Sequence, residues 1–307
     1  MNRRRRALLA GGAALLGAGA LEALSLDHAF DHRSLPTRVP GDAERYAASI
    51  ARLEADAKLA AGAIVHVGHS THLLSIAGAR FVTDPWFYDP AFGALAHVGG
   101  PAVAPEQVGR LDAVLVTHDH ADHADDRAMD RLDKARAIVA TDELAARARR
   151  IGYKEVFVLR EWQSIDVAGA KITCVPGKHD IYEIGYVVEG GGHKVYFAGD
   201  TRLHEDLPAI QERLAPSFAI LPVDGTRLRG DPLHVMTPDD AVKAAKILGV
   251  AAAMPSHAEA WFSDPLVSTF LATSIRGANQ LFAARMREGL PAVRCVVPRP
   301  GELVPLA

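Results

Sequence analysis

The chain has 307 residues, of which 49% are apolar and 23% charged, with a formal net charge of −3. This size and apolar share give ample material for a core and exclude a disordered or low-complexity chain. Mild acidity without a basic stripe argues against nucleic acid as a partner.

Residues 3–6 are all arginine, and residues 7–21 form an uncharged Ala/Leu/Gly-rich run that Glu22 stops. The run is short for a membrane span, which needs about 20 apolar residues. It fits the apolar part of a signal peptide, with Ala18-Gly19-Ala20 as the cleavage site. Arg5-Arg6-Ala7-Leu8-Leu9 resembles a twin-arginine export signal. The expected organisation is a signal peptide over 1–20, a lead-in and N-terminal helix over 21–62, and one domain over 63–307. The mature protein is then periplasmic or secreted, and an uncleaved segment makes it membrane-anchored. Membrane contact is expected through this terminus alone.

Residues 27–42 read as an irregular, Pro-containing lead-in. Residues 43–58 read as a helix, because Tyr46, Ile50, Leu53 and Ala57 fall on one face. Strands are predicted over 63–67, 72–76 and 80–83, separated by turn signals at Gly68-His69-Ser70 and Ala77-Gly78. His66 and His72 lie in these strands and read as packing residues; His69 is placed near any site. Residues 88–105 form a Gly/Pro/Ala-rich loop of a length often used as a substrate wall.

The stretch around which the rest is organised comes next. An apolar run over 112–116 reads as a buried strand, and it ends in Thr117-His118-Asp119-His120-Ala121-Asp122-His123. Imidazoles and a carboxylate are ligand types favoured by zinc and similar metals. They are too many for one catalytic metal that keeps an open position, so the spacing points to two metals sharing the loop.

Further on, short helices are predicted over 127–133 and 142–150, with Asp142 as N-cap of the second, around a strand over 137–140. Strands follow over 155–159, 164–167, 171–176, 184–189 and 194–198, the last two joined as a hairpin by Gly190-Gly191-Gly192. His179 and Asp200 stand at strand ends. Helices are predicted over 207–214 and 238–248, the latter capped by Thr237 and ended by Gly249. Strands over 218–223 and 250–254 precede Pro255-Ser256-His257. Residues 266–288 read as a helical stretch broken near Gly277, and strands over 294–297 and 302–305 close the chain. Cys174 and Cys295 read as small buried hydrophobes, with nothing in the sequence to support a disulfide.

Thr117-His118-Asp119-His120-Ala121-Asp122-His123 resembles the metal-binding signature of the metallo-β-lactamase superfamily, and the later ligand motifs follow in family order over residues 64–306. The resemblance implies an α/β fold, a four-layer αββα sandwich. It implies His118, His120 and His179 on one metal and Asp122, His123 and His257 on the other, with Asp200 bridging. Asp122 counts both as a ligand and as a catalytic carboxylate. The expected cofactors are two divalent ions, zinc first, with manganese or iron as alternatives. A water shared by two such ions loses a proton near neutrality and attacks a carbonyl or phosphorus. Family members with iron redox chemistry typically carry Glu at the position of His120. Gly68-His69-Ser70-Thr71 and Thr83-Asp84-Pro85-Trp86 resemble one branch, which includes L-ascorbate-6-phosphate lactonase and N-acyl-phosphatidylethanolamine phospholipase D. That branch implies a phosphodiester or lactone substrate, small or lipid-like. It also places His234, which precedes Thr237-Pro238-Asp239-Asp240-Ala241-Val242, beside the metals facing substrate. Asp84 is expected to accept a hydrogen bond from a ligand histidine. The alternatives are a non-catalytic metal-binding or scaffold protein, or a nuclease of the same fold.

Overall fold

Two seven-stranded sheets pack face to face, and each carries helices on its outer side. The computed structural model describes residues 38–134, 136–230 and 234–306. The signal-like run and most of the lead-in lie outside the described residues. Among those described, no helix is long and apolar enough to cross a membrane.

The strands, in chain order, are β1 (Gly62–Gly68), β2 (Thr71–Ile76), β3 (Ala79–Thr83), β4 (Leu95–His97), β5 (Ala113–Leu115), β6 (Ala137–Ala140), β7 (Glu155–Val158), β8 (Ser164–Val167) and β9 (Ala170–Pro176). They continue with β10 (Ile184–Gly190), β11 (His193–Phe197), β12 (Phe218–Pro222), β13 (Arg227–Leu228), β14 (Ala252–Ser256), β15 (Ala260–Phe262), β16 (Ala272–Thr273), β17 (Arg294–Cys295) and β18 (Leu303–Pro305). The helices are α1 (Asp42–Ala55), α2 (Ala57–Ala61), α3 (Asp126–Arg131), α4 (Asp142–Ile151), α5 (Leu207–Leu214), α6 (Pro238–Leu248), α7 (Pro265–Phe270) and α8 (Ala278–Gly289).

The first sheet runs β18-β1-β2-β3-β5-β6-β7 and the second β17-β14-β12-β11-β10-β9-β8. Alternation along each strand builds three apolar layers. Ala63, Val65 and Val67 of β1 face the helices outside the first sheet, while Ile64 faces the space between sheets. Phe218 and Ile220 of β12 face that same space, and Ala219 and Leu221 pack under α5, α6 and α8. Burial on both faces explains why these strands read as near-continuous apolar runs.

Several boundaries differ from expectation. The first helix stops at Ala55 because Asp56 turns to extended backbone and caps α2 by accepting from the Lys58 N–H. The loop over 88–105 contains β4, which pairs with β15, a partner more than 160 residues away in sequence. The stretch over 266–288 is interrupted earlier than Gly277, by β16 pairing with β13. Thr141, not Asp142, is the N-cap of α4. Both cysteines are free, Cys174 buried and Cys295 half-buried.

β3 and β5 run parallel in one sheet, as do β11, β12 and β14 in the other. The chemistry sits at the carboxyl ends of these strands, where both sheets open onto one rim.

Candidate metal centre

The loop after β5 is held from below by Asp84, at the end of β3. One Asp84 oxygen accepts from the Thr117 backbone N–H at 2.8 Å. The other accepts from Thr117 Oγ1 at 2.8 Å and lies 2.7 Å from His123 Nδ1. Because the Thr117 hydroxyl donates to Asp84, it accepts from His118 Nδ1 at 2.9 Å. Both rings therefore turn Nε2 toward the rim with its lone pair unengaged by these contacts. From above, Arg147 of α4 clamps the loop: its guanidinium pairs with Asp119 and with Asp126 at 2.7 Å, and donates to the Ala124 carbonyl at 2.9 Å.

The second sheet brings the remaining groups. His179 follows β9, and its Nδ1 donates to the His234 carbonyl at 3.1 Å, aiming Nε2 at His120 Nδ1, 3.2 Å away. Asp200 follows β11 through Gly199, a left-handed residue (φ 70°) where an added Cβ would collide with Glu183 and Thr117. The Asp200 N–H donates to Glu183 Oε1 in a short contact. His257 follows β14, with Nδ1 3.2 Å from Asp224 Oδ1 and Nε2 2.9 Å from Asp200 Oδ2. Asp200 Oδ2 also lies 3.1 Å from His123 Nε2 and 4.0 Å from His118 Nε2.

Two sets of four side chains each have their ligand atoms within 4.8 Å of one another, His118, His120, His179 and Asp200, and His69, Asp122, His123 and His257, and a smaller group of His179, Asp180 and His234 adjoins the first. The donor set fits divalent metals. His118 Nε2, His123 Nε2, Asp122 Oδ1 and Asp200 Oδ1 are buried and have no hydrogen-bond partner among the described residues, which a protein avoids unless another group engages them.

Electrostatics agree with that fit. Burial drives His118 well below the ordinary histidine range and His69 and His120 down to about 4, so these rings stay neutral with a free lone pair. Burial works the same way on His123 and His257, but Asp200 and the neighbouring carboxylates overcome it and hold both well above the usual value. At His179 the Asp180 contact likewise outweighs burial and lifts the ring to about 9. Buried Glu183 is pushed up to about 8. The negative field that retains protons on His123 and His257 would equally attract cations, and loading a metal would release those protons.

All seven ligands expected from the sequence, His118, His120, Asp122, His123, His179, Asp200 and His257, converge here. Asp84 contacts His123 as anticipated. His234 is buried, 5.8 Å ring to ring from His179, with Nδ1 3.4 Å from Asp180 Oδ2. The sequence reading missed Asp180, Glu183, Asp224, Arg147 and Glu259. Each is an acid or base at a strand end, helix or loop, a type and setting that ordinarily means a solvated surface. His66 and His72 are also more than packing residues. His66 Nε2 lies 2.9 Å from the Glu259 carboxylate, and the two Nδ1 atoms are 3.1 Å apart. Beneath the rim, buried Trp86 stacks on His97 at 3.6 Å, and half-buried Phe92 lies edge-on to His120 at 5.4 Å.

The sequence pattern of the beta-lactamase superfamily domain matches residues 79–258. The chain belongs to the metallo-β-lactamase superfamily. A metal-dependent hydrolase of Rubrobacter xylanophilus is 32% identical over 211 residues, covering 63% of this chain and 80% of that protein. One from Thermus thermophilus is 31% identical over 253 residues, 78% of this chain and 97% of the other. Among solved structures, a metallo hydrolase of Ignicoccus hospitalis superposes with TM-score 0.62 at 22% identity, covering 79% of this chain and 97% of that one. An isothiocyanate hydrolase from Delia radicum gut bacteria superposes with TM-score 0.65 at 22% identity, covering 79% and 98%. The αββα arrangement is that of this superfamily, and the chain is a metal-dependent hydrolase with His/Asp clusters able to bind metal.

Proposed function

We propose that this metallo-β-lactamase superfamily member is a dinuclear hydrolase of phosphodiesters or of lactones and related esters. The observation that carries the dinuclear reading is Asp200, whose carboxylate lies against ligand nitrogens of both sets. His118, His120 and His179 would hold one ion, Asp122, His123 and His257 the other, and Asp200 would be shared. Bound divalent metals supply a water acidified toward neutrality and stabilise charge on the attacked group. The protein's own part is to fix the donors, through Asp84, Thr117, Glu183 and Asp224, and to bind substrate. His234 Nε2 has no partner among the described residues and faces the same rim. From that nitrogen His234 would donate to the oxyanion or to a phosphate oxygen. Half-buried Phe92, beside His120, offers an apolar contact for a small or lipid-like substrate.

The motifs Gly68-His69-Ser70-Thr71 and Thr83-Asp84-Pro85-Trp86 support the ester and phosphodiester classes over β-lactams and thioesters. The test is metal analysis of purified protein joined to a panel of phosphodiesters, lactones, isothiocyanates and single-stranded nucleic acid. Two ions per chain, zinc before manganese or iron, with chelator-sensitive turnover of the first two classes is the expected outcome. Two ions without turnover of any substrate would favour the non-catalytic alternative, and nucleic-acid cleavage the nuclease. The Arg-rich, apolar N-terminus supports export, with mature protein starting near Leu21; N-terminal sequencing that finds Met1 in the cytosol would refute it.

A further inference from the structure

His69 stands in a β-turn between β1 and β2, outside every motif that supplies the seven expected ligands. Its side chain is buried, at 1% exposure. Among the described residues, neither ring nitrogen has a hydrogen-bond partner. Burying two polar nitrogens without partners is costly, and nothing in the packing against Trp86, edge-on at 5.0 Å, offsets it. Nε2 lies 3.7 Å from Asp122 Oδ2, too far for a hydrogen bond. The same oxygen is 3.7 Å from His123 Nε2 and 3.4 Å from His257 Nε2. Ligand atoms bonded to one cation at about 2.0–2.2 Å are spaced by roughly 3–3.8 Å, the spacing of this group. The His69 and His257 rings are tilted against each other with centroids 4.2 Å apart, comparable to the 4.6 Å between His118 and His120 of the first set.

The backbone is built to keep the ring there. His69 has a left-handed φ of 54°, which a non-glycine residue adopts at a cost. Its N–H donates to Glu259 Oε2 at 3.0 Å, and that carboxylate is itself held by His66, which touches His72. This polar chain runs through the strand pair and ends on the His69 backbone rather than on the ring, leaving both ring nitrogens to the cluster.

We propose that His69 is a ligand of the second metal position, giving it five protein donors: His69, Asp122, His123, His257 and the shared Asp200. The first position keeps four: His118, His120, His179 and Asp200. The inference rests on the dinuclear reading and makes the two positions unequal. The second is the more fully ligated and the tighter, and it suits cations that accept five or six ligands. The more open coordination, where substrate would be admitted, then belongs to the first position near His234.

The test is cobalt titration followed by visible absorption and isothermal calorimetry. Wild-type protein and His69→Asn are compared, since asparagine tolerates the left-handed backbone but removes the imidazole. Wild type is expected to bind two ions, the tighter one with the weak absorption of a five- or six-coordinate centre. His69→Asn is expected to weaken one ion by about 10- to 100-fold, leave the other unchanged, and intensify the absorption of the weakened centre as it loses a ligand. Unchanged affinities and spectrum in a folded variant would overturn the role of His69 and leave the dinuclear reading standing. A wild type that binds a single ion would overturn both. If the variant does not fold, the wild-type spectrum decides alone: two intense, four-coordinate centres overturn the proposal.

Discussion

At the scale of single residues, the centre is a problem of assigning histidine nitrogens. Each ring is fixed by what its other nitrogen touches: Asp84 at His123, Thr117 at His118, the His234 carbonyl at His179 and Asp224 at His257. Three non-glycine residues of the site, His69, Asp84 and His257, have φ values of 54°, 33° and 53°. Strain of that kind persists only where surrounding contacts over-determine the conformation. Two substitutions separate the roles. Asp200→Ala removes the only carboxylate among the described residues that reaches both sets; metal content is expected to fall from two ions to one or fewer, with kcat severely reduced. Two bound ions and normal turnover would refute the bridging role. His234→Ala is expected to keep both ions and lower kcat by about 10²–10³, the usual loss for one oxyanion donor. Loss of an ion would make His234 a ligand, and unchanged kcat and KM would remove it from the site.

At the scale of elements, strands deliver ligands and helices brace them. β5 ends in the histidine loop, and α4 sends Arg147 back onto that loop through Asp119, Asp126 and the Ala124 carbonyl. The Arg147 side chain is mostly buried, at 16% exposure, so its contacts are screened less than surface pairs. Arg147→Met keeps much of the volume and removes the charge. A loss of about 1–3 kcal/mol in stability is expected, with weaker metal binding because the loop loses one of its two supports. Thermal melts and metal titration check both parts, and a variant unchanged in both would show that Asp84 alone holds the loop.

At the scale of the whole molecule, the centre joins two sheets, so its protonation is linked to folding. In metal-free protein, His179 is raised to about 9 and Glu183 to about 8, above their unfolded values. Between pH 6.5 and 8 the folded state therefore binds more protons at these groups than the unfolded state does. Their contribution to stability is present at the lower end of this window and is lost as pH rises through the folded values. His69 and His120, lowered to about 4, are neutral in the folded state but half protonated in the unfolded state near pH 6.5, so they oppose this slope at the lower end of the window and cease to do so above about pH 7.5. Metal-free protein is expected to melt at lower temperature at pH 8.5 than at pH 7.5, and Glu183→Gln to flatten the fall. A metal-free melting temperature that rises over this range would contradict the assignment.

Much of this was legible in the chain itself. Apolar alternation and turn residues placed most strands within a residue or two, because strand burial on both faces leaves a continuous apolar signal. Helices α5 and α6 were read at their observed bounds, since Pro238, Thr237 and Gly249 act locally. The seven candidate ligands could be named because their spacing after predicted strand ends resembles a family pattern, and the fold brings them together. Tertiary structure decided what has no local signal. The pairing of β4 with β15 and of β13 with β16 joins segments distant in sequence. Asp180, Glu183, Asp224 and Arg147 look like ordinary surface charges until the second sheet and α4 close over the rim. His69 is one histidine in a turn of the sequence; only the fold brings that turn against the loops after β5 and β14, where its buried ring faces Asp122 and His257. Local chemistry sets which groups each segment can offer, and long-range pairing sets which of them meet.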